Sequence, residues 1–127
     1  MATQNIVAVT AIVGNTLSAA VLTTATQLAS NAASSGKVFK INSIVIANID
    51  GTSAADVTVN IYSAAALGGT GSAIASTISV PADASLIVTD KTTAFYLLED
   101  RSIGALASAA GDLVATISFE EITAPPP

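Results

Sequence analysis

The residues best placed to do chemistry are acids grouped near turns. Asp50 and Asp56 flank one turn, with Asn48 just upstream. Their oxygens could gather a Ca²⁺, which takes six to eight oxygen ligands, usually several of them carboxylates. Two acids are few for that, and an Asx-type turn at a strand end explains them as well. Glu99-Asp100-Arg101 is the densest charge cluster, and Glu120-Glu121 follows later. A carboxylate pair could serve general acid–base catalysis or glycoside hydrolysis. Sugar chemistry would need a cleft lined with aromatics, and the only aromatics are Phe39, Phe95, Phe119, Tyr62 and Tyr96. A polar turn with Arg101 paired locally is the plainer reading. Gly68-Gly69-Thr70-Gly71-Ser72 is glycine-rich like a phosphate cradle, but it lacks the Lys and the following helix. It reads as a flexible hairpin loop.

The chain contains no His, no Cys and no Trp. A catalytic His, a thiolate nucleophile, a His or Cys zinc site and an iron–sulfur cluster are therefore excluded from these residues. No catalytic, metal-ligating or cofactor-binding residue is assigned, and no enzyme activity is expected. Lys37, Lys40, Lys91 and Arg101 are the only cations, against nine acids. Scattered cations and a net charge of −5 do not suit nucleic acid or an anionic membrane. The apolar stretch Ile6 to Leu28 is interrupted by Gly14, Asn15 and several Thr, and no cation precedes Lys37. Neither a signal peptide nor a spanning helix is expected.

The elements that must position these groups are strands. Asp56-Val57-Thr58-Val59-Asn60-Ile61-Tyr62 alternates apolar and polar residues, as a half-buried strand does. Phe39, Ile41, Ser43, Val45, Ala47 and Ile49 form one face of another run, whose other face turns apolar at Ile44 and Ile46. That strand reads as covered on both faces, or as reaching a partner. Asp50-Gly51 marks a turn, so the two runs are expected to form a hairpin with a longer loop. Further strands follow at Ile74–Val80, Ser85–Thr89, Ile103–Ala107 and Leu113–Phe119. Two more are expected before Ser30, joined at Gly14-Asn15. Turn signals at intervals of roughly 8–12 residues point to an all-β antiparallel sandwich, jelly-roll or immunoglobulin-like, with eight to nine short strands. Residues 1–127 form one domain, with an N-terminal arm over 1–36 and a Pro-rich tail over 123–127. Ala32–Gly36 and Ala64–Ser72 read as mobile loops. With 26 Ala, the core is expected to be thin and the subunit to gain from association.

One ordered set of residues has a family look. Lys37 to Gly51 runs into Ala55-Asp56-Val57-Thr58-Val59, then Val80-Pro81-Ala82-Asp83-Ala84, then Asp90-Lys91, and ends at Ser118-Phe119-Glu120-Glu121-Ile122. This order resembles small structural proteins of tailed phages, especially marine and cyanobacterial phages, over about residues 37–122. The resemblance implies a non-enzymatic virion component with a β-sandwich fold. The expected role is a capsid decoration (cement) protein on the capsid surface, bound to the major capsid protein, as a homo-oligomer with a trimer favoured. A tail, neck or fibre component and a carbohydrate-binding adhesion module are the alternatives. Phe39, Ile44 and Ile46 on the two-faced strand, and Tyr62 beside the Ala-rich loop, are the expected interface residues.

Overall fold

The structure is a computed structural model and describes residues 3–126. Met1, Ala2 and Pro127, at the ends of the expected arm and tail, lie outside the described residues. Period-two patterning becomes burial where a second sheet lies across from the strand. In β4 (Ala55–Tyr62), Val57 and Val59 are fully buried. In β8 (Arg101–Ala107), Ile103, Ala105 and Ala107 turn inward. In β9 (Leu113–Thr123), Leu113, Ala115, Ile117 and Phe119 do the same.

Nine strands pair antiparallel in two sheets. The first runs β1 (Ala11–Ala20), β9, β3 (Lys37–Asn48), β6 (Ser85–Thr89), and β7 (Phe95–Leu97) also pairs with β3. The second runs β2 (Thr26–Asn31), β8, β4, β5 (Gly71–Val80). The chain crosses between the sheets at most connections, which is the path of a jelly roll. Between the sheets, Phe39 stacks on Phe119 with ring centroids 5.2 Å apart. Aliphatic side chains such as Ile41, Ile44, Ile117 and Leu28 fill the rest. Among the described residues six Ala are buried, so the Ala excess lies mostly outside the core rather than thinning it.

Two buried asparagines tie the sheets together, one at each end. Asn31 of β2 donates its amide to the carbonyls of Lys37 and Leu97, at 2.9 and 3.1 Å. Asn48 of β3 donates to the carbonyls of Ser53 and Val80, both at 2.9 Å. Buried carbonyls need such donors, and those of Leu97 and Val80 receive them from these side chains.

The strand boundaries differ from the sequence expectation at several places. β1 runs unbroken through Gly14-Asn15, in continuous register with β9. The runs around Asp50-Gly51 do not form a hairpin, because β3 and β4 belong to different sheets. The two-faced appearance of β3 comes from a bulge. Ile41 faces Phe119 while Ser43 faces Ser118, so Asn42 is an extra residue. An extra residue switches which parity points inward. Phe39 and Ile41 point in before it, and Ile44 and Ile46 point in after it. Residues 11–31 of the expected arm are strands and loops of the sandwich, and residues 3–10 pack along the chain's other end. Asn5 N donates to Pro125 O at 2.7 Å and Thr10 N to Thr123 O at 2.8 Å. Ala124, in the expected tail, is buried.

Candidate assembly surface

β1 is an edge strand with unusual exposure. Its ten residues pair with β9 on one side and with nothing on the other. Nine of the ten are exposed, so both faces meet solvent. Ile12 is 56 %, Val13 55 % and Leu17 42 % exposed. Edge strands are normally guarded by charges, Pro or bulges, because their unpaired backbone groups invite another strand. β1 carries no charge and no Pro, and its register has no break. The other long edge, β5, is different. Its pairing to β4 shifts twice, and Thr77 has a positive φ of 52°. Sequence reasoning missed β1 as a surface. The signal available was a β-rich run without a single charge from Ile6 to Val13 and on to Ala20.

The four residues singled out from the sequence sit elsewhere. Ile44 and Ile46 are fully buried and Phe39 nearly so, all within the subunit's own core. A partner cannot reach them unless the sandwich opens. Tyr62 is half-buried on β4, its ring edges against Gly71 and Gly104. A Cβ at Gly104 would lie 2.8 Å from Leu67 Cδ2 and 3.1 Å from Thr26 O, so a side chain there would push the overlying loop.

That loop, residues 63–70 between β4 and β5, is held rather than mobile. Leu67 N donates to Ser102 Oγ at 2.8 Å, and Ser102 Oγ donates to Ala64 O at 2.7 Å. Ala66 N donates to Ser30 Oγ, and Ala65 N to Asp100 Oδ1 at 3.0 Å. Beside it, Arg101 donates Nη1 to the carbonyls of Ser63 and Asp100, at 2.8 and 2.9 Å. The guanidinium borders a hollow of about 210 Å³ with Tyr62, Ser63, Thr70 and Ser72. Among the described residues, no carboxylate lies within ion-pair distance of it; the one ion pair is Lys37–Glu121 at 3.2 Å.

At the opposite end, three loops bring acids together. Asp83 N donates to Asp50 O, and Ile49 N to Asp112 O at 2.7 Å. Asp83 Oδ2 would be 3.5 Å from a Cβ on Gly51. Hydrogen bonds from Thr52 N, the Thr52 hydroxyl and Ser53 N hold the Asp50 carboxyl below the usual range. Partial loss of hydration, then the negative charge of Asp50, pushes Asp112 up. Asn48, the third oxygen of the sequence-stated cation idea, accepts from Asp50 N at 2.9 Å and spends its amide on two carbonyls. The Glu99-Asp100-Arg101 cluster is likewise tied up locally, with buried Glu99 accepting from Gly36 N at 2.9 Å. No helix among the described residues is long and apolar enough to cross a membrane.

No protein-family model matches the chain, and no curated protein matches it. A solved structure does match in fold. It is a chain of the Bacillus endospore appendages, described as a novel family of disulfide-linked pili. The TM-score is 0.52 at 19 % identity, over 89 % of this chain and 88 % of that one. The matched fold is that of a bacterial pilus protein and not of a phage capsid protein. The expected assignment to a phage virion, as a capsid decoration protein on a major capsid protein, is therefore corrected. What stands is a small all-β sandwich whose fold is shared with an appendage-forming protein.

Proposed function

We propose that this chain is a non-enzymatic structural subunit that assembles with copies of itself into an extracellular or surface polymer. The observation that carries this reading is β1, a ten-residue edge strand with apolar side chains on both exposed faces and no guard against strand addition. A second copy's strand on that edge would satisfy its free backbone groups and cover Ile12, Val13 and Leu17. The fold likeness to a pilus protein supports the same reading. These 127 residues contain no cysteine, so they supply no disulfide of the kind that links those pili.

The test is the double variant Ile12→Lys with Leu17→Lys, which places one cation on each face of β1. Both sites are exposed, so subunit stability should change by about 0.5 kcal/mol or less. Light scattering and negative-stain microscopy should show parent polymers and their loss in the variant. Polymers unchanged by the double variant would remove the edge from the account.

A further inference from the structure

The charges divide along the long axis of the sandwich. Asp50, Asp56, Asp83 and Asp112 sit at the end where β3 finishes and β9 begins, with no cation among them. All four cations lie in the other half, with five acids. Those five are engaged by their own chain. Asp90 accepts from Thr92 N, Glu99 from Gly36 N, Asp100 from Ala65 N, Glu120 from Asn42 and Glu121 from Lys37. Arg101 has only carbonyl partners, and its hollow adds the hydroxyls of Thr70 and Ser72. Asp83 is exposed, on a turn that projects from the far end.

Both halves are net negative, so the match is local: a guanidinium with no ion-pair partner among the described residues at one end, and an exposed carboxylate at the other. From this local match we propose that the Arg101 hollow is a docking site for the acidic end of a second copy, with Asp83 as the carboxylate it receives. The contact is heterologous: one end of a subunit meets the other end of the next. Such contacts propagate into open rows when the rotation does not close. A guanidinium already aligned by Ser63 O and Asp100 O has other N–H donors left for a carboxylate. The proposal adds a second contact to the polymer reading above, at right angles in kind: charge at the ends, backbone and apolar groups at the β1 edge.

The experiment therefore uses the β1 double-lysine variant as its background, where edge assembly is removed. Sedimentation velocity at low and at 0.5 M salt would follow end-to-end association. Arg101→Gln and, separately, Asp83→Asn should each weaken it about tenfold at low salt, and salt should weaken the parent similarly. Asp83→Asn guards against a folding defect in Arg101→Gln, because the Asp83 carboxylate makes no hydrogen bond among the described residues. Association that ignores salt and both substitutions would overturn the proposal, as would a background that stays monomeric at millimolar concentration. Failure of the edge reading would show differently, as a background that still forms parent-like polymers.

Discussion

Asn31 and Asn48 show how much a single side chain can hold in this sandwich. Each donates to two carbonyls across from its own sheet, one buried and one part-buried. Replacing either with Ala would remove a donor from both carbonyls. Asn48→Ala should cost about 1–3 kcal/mol in urea unfolding, and Asn31→Ala a similar amount. A loss below a few tenths would mean water substitutes for the amide. Ile46→Asp belongs to the same scale. It would place a charge among core aliphatics, and circular dichroism should show an unfolded subunit rather than a folded, unassembled one. The Asp50–Asp112 pair predicts a pH signature. Asp50 titrates below its ordinary value, so its stabilisation is present above the unfolded value and is lost as pH falls through its folded one. Asp112 is raised, so its ionisation opposes folding above its folded value, and that opposition fades as pH falls. Carboxyl NMR should find Asp112 protonating first. Asp50→Asn should bring Asp112 partway down, leaving the part due to lost hydration.

Strands show what was legible in the sequence and what was not. The inward sets of β4 and β9 follow directly from alternation, and so do Ile103, Ala105 and Ala107 of β8, whose other face is also buried at Ser102 and Gly104. Alternation cannot reveal a one-residue insertion, so Asn42 made β3 look apolar on both faces and sent Ile44 and Ile46 to an imagined partner. Nor can alternation reveal which strands pair, so β3 and β4 read as a hairpin when they belong to different sheets. Exposure of β1 was hidden for the same reason: its residues match a half-buried strand, and only the sheet's order puts them at an edge. The bulge carries a sharp prediction. Deleting Asn42 restores plain alternation and keeps Phe39, Ile41, Ile44 and Ile46 inward, so the variant should fold. Deleting Val45 turns Ile46 outward and should unfold the domain, as thermal melts of the two would show. The loop over residues 63–70 depends on the missing side chain of Gly104. Gly104→Ala should cost about 1–3 kcal/mol and loosen Leu67, seen as faster amide exchange at Leu67 N.

At the scale of the whole molecule, assembly should respond to salt and not to reductant. The subunit has no cysteine, while its ends differ in charge. Dithiothreitol should leave polymers intact, and rising salt should shorten them without unfolding the subunit. A salt-insensitive polymer would contradict the end contact. The pairing of β1 with β9 has one more consequence, and it concerns time. β1 can find its neighbour only after β9 has been made, because residues 11–20 pair with residues 114–123. Closing that loop costs chain entropy before any contact rewards it, so folding should be slow and should finish only after β9 has been made. Until then β1 is open on both sides, and a neighbouring unfinished chain competes for it. Rapid overproduction should therefore trap the protein as strand-exchanged aggregates that slower synthesis at lower temperature avoids.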